Sequence, residues 1–244
     1  MSSFTYLITG ASRGLGYAYT EALLASSPAI KIVATARNPG KATELNALAA
    51  KNEGRLLVVK LDVDSEESVK ALASELESHP FTKDGIDSLI NNAGICPGSW
   101  NTTLQSDTAE LDATLRTNLY GPYWVTRALL PLLRKGTGKQ VVMMSTIAGS
   151  FGSFGADLPG VATYAISKVA LNMLTVKLAR ELASEDFIIV SYHPGWVKTD
   201  INVGGQGDIE VEEAVEAAFK HLFPKLTKEN TAKFLSFDGS SMPW

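Results

Sequence analysis

The chain has 244 residues, of which 45% are hydrophobic and 20% charged, and its formal net charge is −4. This composition excludes intrinsic disorder, and the mixed, slightly acidic charge gives no basic surface for nucleic acid or a membrane. Cys96 is the only cysteine, which excludes an intrachain disulfide and a cysteine-based zinc site, and we expect no metal.

Short apolar segments alternate with helical patterns along the whole chain. Strands are predicted over residues 4–9, 31–37, 55–61, 87–91, 140–145, 187–193 and 234–237. Helices are predicted from the first glycine-rich loop to about Ser26, over 42–50, from Ser65, over 108–133 with a kink or shifted boundary at Pro122, over 164–184 and over 211–222. This alternation is typical of a doubly wound α/β fold with helices on both faces of a parallel sheet, and we expect one domain over 1–244.

A glycine-rich loop, Gly10-x-x-x-Gly14-x-Gly16, lies between the first predicted strand and the first helix. Glycines let a backbone turn tightly and approach a pyrophosphate, whose charge suits a helix N-terminus. The spacing differs from the usual Gly-x-Gly-x-x-Gly, and a plain glycine-rich turn is the alternative. The position in the first βαβ unit favours a nucleotide-binding loop.

The end of the second strand indicates which nicotinamide cofactor would bind. In NAD-specific folds an acid at this point holds the ribose 2′-hydroxyl. This chain has Arg37 there, and Arg13 adds a second positive charge within the glycine-rich loop. Two cations suit a 2′-phosphate, so we predict NADP(H) rather than NAD(H); the alternative is that both arginines are merely solvated.

Tyr164 and Lys168 are four residues apart and share one face of a predicted helix. An ammonium beside a phenol favours the phenolate, so we expect the pKa of Tyr164 to be lowered towards neutrality. Such a pair suits a general acid for a carbonyl oxygen, or a base for an alcohol. Taken alone, the pair is more often a surface tyrosine with a solvated lysine.

These motifs occur together with Asp62-Val63, Asn91-Asn92-Ala93-Gly94, Asn118 and Pro194-Gly195. In their order and spacing the whole chain resembles the short-chain dehydrogenase/reductase family. The segment 193–200 and the ending Phe237-Asp238-Gly239-x-x-x-Pro243-Trp244 are similar to its sniffer/C-factor-like carbonyl reductase branch. The resemblance implies a Rossmann-type, seven-stranded parallel sheet and an NADP(H)-dependent oxidoreductase acting on CH–OH or C=O groups.

The resemblance also implies roles for single residues. Tyr164 would protonate the carbonyl oxygen, Lys168 would bind ribose hydroxyls and lower the pKa of Tyr164, and Asn118 would hold a water of the proton relay. For Asn118 the alternative is a helix residue bonded to backbone. By the resemblance, Asp62 and Val63 would lie beside the adenine, Asn92, Ala93 and Gly94 beside the ribose, and Val197 and Thr199 over the nicotinamide. The other expected cofactor-binding residues are Gly10, Ser12, Arg13, Gly14, Leu15, Gly16, Arg37, Tyr164, Lys168, Pro194 and Gly195.

One position departs from the family pattern. The family places a catalytic serine just after the fifth strand, as the second residue of a Ser-Ser pair, whereas this chain has Ser145-Thr146. A threonine hydroxyl donates the same hydrogen bond. We therefore favour Thr146 slightly in this role and keep Ser145 as the alternative.

The expected activity is NADPH-dependent reduction of a ketone or aldehyde to an alcohol, with a small molecule as the substrate. The alternatives are an NAD-linked alcohol dehydrogenase and a non-catalytic NADP(H)-binding sensor or signalling protein. No apolar run reaches the roughly 18 residues of a membrane span, and the first residues show neither the basic nor the long apolar region of a signal peptide, so we expect a cytoplasmic protein. A homodimer or homotetramer is expected through helices 108–133 and 161–184. Candidates for the substrate pocket are Trp100, Phe151, Phe154, Leu158, Trp196 and the segment 201–208.

Overall fold

The computed structural model describes residues 3–98, 101–153, 160–202, 205–223 and 225–244. Within these ranges the strands are β1 (Phe4–Ile8), β2 (Ile30–Ala36), β3 (Leu56–Lys60), β4 (Ser88–Asn91), β5 (Gln140–Met144), β6 (Ile188–His193), β7 (Phe234–Ser236) and β8 (Ser241–Met242). They form one sheet in the order β3-β2-β1-β4-β5-β6-β7-β8. Strands β1 to β7 pair in parallel, which confirms the predicted α/β fold.

The predicted count of seven strands is one short. β8 pairs antiparallel with β7 over two positions, Phe234 with Met242 and Leu235 with Ser241. A two-residue strand has no periodicity of its own to reveal it in the sequence.

The described α-helices are α1 (Gly14–Ser26), α2 (Thr43–Lys51), α3 (Glu66–Ser78), α4 (Thr108–Leu115), α5 (Gly121–Lys135), α6 (Ala162–Glu181) and α7 (Val211–His221). Successive residues of a strand point to opposite faces of the sheet. Ile8 accordingly packs in one apolar cluster with Tyr19 of α1 and Ala218 of α7, while Leu7 belongs to a second cluster with Leu72 of α3 and Val125 of α5. Both faces of the sheet are therefore covered. In the part of the chain that the structure describes, no helix is long and apolar enough to span a membrane.

The predicted helix over 108–133 is interrupted by a π-helical turn, Arg116–Tyr120, just before Pro122. Proline has no N–H and its ring clashes with the carbonyl four residues earlier, which here belongs to Asn118. The widened turn avoids that clash, and Gly121 N bonds to Arg116 O instead. The expected irregularity is thus confirmed, and it falls at a candidate site residue.

The strand order reverses between β1 and β4: β2 and β3 are added on one side of β1, and β4 to β8 follow on the other side. In open α/β sheets, ligands bind in the crevice beyond the carboxyl ends of the strands at such a point.

Candidate active site

A cavity of about 910 Å³ lies beyond the carboxyl ends of β1, β2 and β4, at the reversal of strand order. Its volume falls within the range of cofactor pockets. Most of the expected cofactor-binding residues line it: Gly10, Ser12, Arg13, Gly14, Leu15, Arg37, Val63, Asn92, Ala93, Gly94 and Thr199. The others expected, Gly16, Asp62, Tyr164, Lys168, Pro194, Gly195 and Val197, are not among the lining residues.

Two glycines of the glycine-rich loop, Gly10 and Gly16, are packed so closely that a side chain would not fit. Gly10 has a φ of +66°, and a Cβ there would lie 3.1 Å from Ala93 Cα. A Cβ on Gly16 would lie 2.5 Å from both Asn92 Nδ2 and Gly10 O. Helix α1 begins at Gly14 and has no acidic residue in its first turn, so its positive end faces the cavity uncompensated. Gly16 therefore acts behind the cavity wall, and the loop fits an anionic phosphate group.

Thr9 is a structural residue of the site that sequence reasoning missed. Its buried hydroxyl accepts hydrogen bonds from Asn92 N at 2.9 Å and Ala93 N at 3.0 Å. Asn92 Nδ2 in turn donates a hydrogen bond to Thr9 O at 2.9 Å. These bonds tie the loop after β4 to the loop after β1. The available signal was a threonine ending a buried strand next to the glycines.

The cationic side of the cavity includes both predicted arginines and one lysine that was not predicted. Arg37 follows β2, with no acid at the strand end, and Lys41 lies close by in the lining. Arg13 is ion-paired with Asp200 at 2.9 Å, and both side chains are well exposed. Glu44 and Asp64 also line the cavity, so its charge is mixed. Both arginines line the cavity, and Arg13 already has a partner in Asp200.

Lys168 lies behind the Gly94 wall of the cavity, and Tyr164 lies beside Lys168. A Cβ on Gly94 would lie 3.8 Å from Lys168 Nζ. This ammonium donates a 2.6 Å hydrogen bond to Met144 O, and it lies 5.5 Å from the centroid of the Tyr164 ring. Cys96, which lines the cavity, interacts electrostatically with both side chains.

The expected direction of the Tyr164 pKa is wrong for this structure. Burial of the phenol, with a smaller contribution from Cys96, raises the pKa of Tyr164. Burial also lowers the pKa of Lys168 to about 8. Sequence spacing placed the ammonium near the phenol but did not reveal how strongly both are desolvated. The phenol is therefore held in its protonated form at neutral pH.

Asn118 connects three parts of the site. Its Oδ1 accepts from Ile95 N at 2.9 Å, and its Nδ2 donates to Ile95 O at 2.9 Å and to Ser167 Oγ at 3.0 Å. The side chain thus holds the loop after β4 against α6. The alternative of a helix residue bonded to backbone describes these contacts, and the role in a proton relay stays a prediction.

The two hydroxyls after β5 have different surroundings. Ser145 is buried, and its Oγ donates a 2.7 Å hydrogen bond to Asn172 Oδ1. Thr146 is half-buried and caps a short 3₁₀ turn, where its Oγ1 accepts from Ala148 N at 3.3 Å. Only Thr146 has a hydroxyl that keeps its own proton for another acceptor.

Thr199 closes one side of the cavity against the glycine-rich loop. A Cβ on Gly14 would lie 3.8 Å from Thr199 Cγ2. Behind it, Val197 is buried and forms a bridge with Ile209, and a Cβ on Gly195 would lie 2.6 Å from Ile209 Cδ1. Val197 and Gly195 therefore support the wall from behind.

Asp62 also supports the cavity wall without lining it. Its Oδ1 accepts from the N–H of Asp64, which lines the cavity, and its own backbone N–H donates to Ser68 Oγ.

Of the substrate-pocket candidates, Ile201 in the segment 201–208 lines the cavity, whereas Phe151 and Trp196 are exposed and do not. Trp100, Phe154, Leu158 and residues 203 and 204 lie outside the described residues.

Residues 5–210 match the family model described as short chain dehydrogenase. The chain belongs to the short-chain dehydrogenase family. This short-chain dehydrogenase is similar to the NADPH-bound carbonyl reductase from chicken fatty liver, with a TM-score of 0.90 and 32% identity over 100% of both chains. It is also similar to the carbonyl reductase Sniffer of D. melanogaster, with a TM-score of 0.89 and 32% identity over 100% of both chains. Among curated relatives, the C-signal of Myxococcus xanthus is 34% identical over 160 residues, which cover 65% of this chain and 93% of the relative. The expected resemblance to the sniffer/C-factor-like branch is thereby confirmed.

The site of this short-chain dehydrogenase brings together three functional parts. The glycine-rich loop and nearby cations fit a nucleotide with phosphate groups, a protonated phenol can donate to an oxygen, and a buried ammonium lies beside that phenol. Such a set suits proton transfer coupled to the oxidation or reduction of a CH–OH or C=O group.

Proposed function

We propose that this short-chain dehydrogenase is an NADPH-dependent carbonyl reductase, which converts a ketone or an aldehyde to an alcohol. The observation that carries the proposal is the position of Lys168 directly behind the Gly94 wall of a nucleotide-sized cavity, with its Nζ 5.5 Å from the centroid of the Tyr164 ring. The NADPH-bound chicken carbonyl reductase, which has the same fold over its whole length, supports both the cofactor and the reaction.

The residues around the cavity fit the cofactor. The loop 10–16 would hold the pyrophosphate through backbone N–H groups at the start of α1. Arg37 and Lys41, with no acid at the end of β2, would hold a 2′-phosphate, and Arg13 would join them if it exchanged Asp200 for that phosphate. Lys168, whose Nζ would lie 3.8 Å from a Cβ on Gly94, would donate hydrogen bonds to the ribose hydroxyls.

The protein groups would supply the proton and orient the carbonyl. Bound NADPH would deliver a hydride to the carbonyl carbon. The Tyr164 phenol would give its proton to the carbonyl oxygen, and its raised pKa keeps that proton in place at pH 7. The Lys168 ammonium would stabilise the phenolate that remains, since its pKa of about 8 leaves it mostly charged at pH 7.

Thr146 and Asn118 would complete the site. The Thr146 hydroxyl would donate a hydrogen bond to the carbonyl oxygen and so stabilise the negative charge that develops there. Asn118 would keep the loop after β4 and the helix α6 at a fixed separation through Ile95 and Ser167.

The test is oxidation of NADPH and of NADH by the purified protein over a panel of activated ketones and aldehydes. We expect turnover with NADPH and a much lower kcat/KM with NADH. Equal or better use of NADH would favour an NAD-linked alcohol dehydrogenase. Tight NADPH binding without turnover over the whole panel would favour a sensor.

We also propose that the protein is a homodimer or homotetramer. An apolar groove of about 390 Å³ lies between α6 and the segment formed by the π turn and α5. It is lined by Leu119, Tyr120, Tyr123, Trp124 and Leu174. On α6, Met173 is 58% and Ile166 45% exposed. A second copy of the chain, related by a two-fold axis, would bury these side chains. Light scattering should show an oligomer for the wild type and a monomer for Met173→Glu; a monomeric wild type would contradict the proposal.

Two further proposals concern the whole chain. Because one sheet takes strands from both ends of the sequence, we propose a single domain, which should unfold in one cooperative transition. We propose a cytoplasmic location, consistent with a sequence that has one cysteine, and cell fractionation would test it.

A further inference from the structure

The loop between β4 and α4 begins at the cavity, and side chains near its end bond to the carboxylate of Glu110. Ile95, Cys96 and Pro97 line the cavity, and residues 101–107 precede α4. There Glu110 accepts hydrogen bonds from three side chains: Thr163 Oγ1 at 2.7 Å, Asn101 Nδ2 at 3.0 Å and Ser106 Oγ at 3.3 Å. Two of the donors belong to the loop and the third belongs to α6.

The loop packs directly on this carboxylate. Gly98 has a φ of +58°, and a Cβ there would lie 2.6 Å from both Glu110 Oε2 and Asn101 Nδ2. Asp107 fixes the backbone of Glu110, because its Oδ1 accepts from Glu110 N at 2.8 Å as the N-cap of α4. The carboxylate therefore projects from a fixed position, and the loop is folded around it.

The α6 side of this contact lies next to the candidate general acid. Thr163 is buried, belongs to the first turn of α6 and immediately precedes Tyr164. The residue before α6, Val161, has a φ of +50° and gives the helix no side-chain cap. The bond from Thr163 to Glu110 therefore anchors the helical turn that carries Tyr164.

We infer that Glu110 is a positioning residue, whose carboxylate ties residues 98, 101 and 106 of the loop after β4 to the first turn of α6 and so sets the gap in which a substrate carbonyl meets Tyr164. The inference rests on the proposed function. All three partners of Glu110 can donate, so an ionised carboxylate satisfies them together, whereas an amide has only one acceptor oxygen. The hydrogen bonds from Thr163 and Asn101 lower the pKa of Glu110, which keeps it ionised.

The sharpest test reverses one hydrogen bond. Glu110→Gln can still accept from Thr163, but its NH₂ group then faces the NH₂ group of Asn101. Adding Asn101→Asp supplies an acceptor for that amide and restores the link. Asp112→Asn is the matched control, since it removes one exposed carboxylate from the same helix. Thr163→Val breaks the contact from the α6 side.

Three quantities would be measured for each variant: amide hydrogen exchange over 97–106 and 160–167, the kinetics of carbonyl reduction, and the Kd for NADPH. Glu110→Gln and Thr163→Val should each raise exchange in both segments, raise KM for the carbonyl and lower kcat about tenfold, with the Kd for NADPH unchanged. The double variant should recover most of the loss, and Asp112→Asn should match the wild type.

The inference is overturned if Glu110→Gln leaves exchange and kcat/KM at wild-type values. It is also overturned if adding Asn101→Asp to Glu110→Gln restores neither exchange nor kcat/KM. Hydrogen exchange needs no substrate, so it decides whether the tie exists even for a protein that reduces no carbonyl. A wild type without turnover would thus contradict the proposed function, while unchanged exchange would contradict the tie itself.

Discussion

Ser145 Oγ and Asn172 Oδ1 are joined by a 2.7 Å hydrogen bond inside the protein. Because a serine hydroxyl has one proton, this bond uses the only donor that Ser145 offers. Asn172 in turn donates from Nδ2 to Gly149 O at 2.9 Å, so the pair fixes the backbone after β5 rather than facing the cavity. The next residue, Thr146, keeps its hydroxyl proton, which makes it the better candidate for contact with a substrate oxygen.

Thr146→Ala should therefore lower kcat by about 10² to 10³-fold, the usual loss of one donor to a developing oxyanion. Thr146→Ser should retain most of the activity. Ser145→Ala should leave kcat within a few-fold but destabilise the protein by about 1 to 3 kcal/mol, since Asn172 Oδ1 loses its partner in the core. Steady-state kinetics with thermal unfolding would separate the two effects, and abolition of turnover by Ser145→Ala alone would assign the role to Ser145.

Tyr164→Phe should keep the affinity for NADPH and lose about 10² to 10⁴-fold in kcat, because the change removes the proton donor and leaves the ring. Fluorescence titration with NADPH and single-turnover kinetics would measure the two quantities. Tyr123→Phe is a suitable control, since this tyrosine lies on the groove of α5, away from the cavity. Normal turnover by Tyr164→Phe would contradict the mechanism.

Lys168→Met should abolish efficient turnover and yet stabilise the protein. The folded chain releases the Lys168 proton at a pKa of about 8, whereas the unfolded chain holds it up to about 10.5. The unfolded state therefore binds more protons between these values, and wild-type stability rises with pH from about 8 to about 10.5. Such a fall in pKa corresponds to about 3 kcal/mol.

The hydrogen bond from Lys168 to Met144 O offsets part of this penalty, so we expect a gain of about 1 to 3 kcal/mol for Lys168→Met at pH 7. The gain should vanish above pH 10.5, where both states of the wild type carry a neutral amine. Urea unfolding across pH would measure it. Lys177→Met, an exposed lysine of the same helix, should show neither effect; a stability difference that does not depend on pH would contradict the explanation.

Arg37→Asp should raise the Kd for NADPH by about tenfold or more, since the loss of a charge-assisted contact to a phosphate is joined by repulsion. The Kd for NADH should change little, because NADH has no 2′-phosphate. Arg180→Asp, the same charge change at an exposed position near the end of α6, serves as the control. Titration with both cofactors measures the ratio, and equal losses for the two would count against the assignment.

Asp200→Asn should tighten NADPH binding by a few-fold. The variant releases Arg13 from its ion pair, and an exposed pair of this kind contributes only about 0 to 1 kcal/mol. The gain should shrink as salt is added and should be absent for NADH. A weaker affinity for NADPH would mean that the ion pair itself supports the cavity wall.

The sequence was sufficient for β1 to β7 and for the glycine-rich loop, because strand periodicity and glycine spacing are local signals. It was insufficient wherever the deciding partner is distant. Glu110 is an ordinary first-turn acid in the sequence, yet Thr163, its partner, lies 53 residues away. The pKa of Tyr164 was predicted with the wrong sign because the spacing to Lys168 is local, whereas burial depends on the complete fold.

Two side chains eight residues apart both contact α6: Glu110, before the π turn at Arg116–Tyr120, bonds to Thr163, and Asn118, within that turn, bonds to Ser167. In a regular α-helix, residues eight apart drift around the axis by roughly a fifth of a turn. A π turn takes up more residues per turn, which brings both side chains to the same neighbour. The length of this stretch therefore matters for both contacts, as well as its composition. An insertion or deletion between Glu110 and Asn118 would rotate one contact away from α6, whereas substitutions at exposed positions in between would be tolerated.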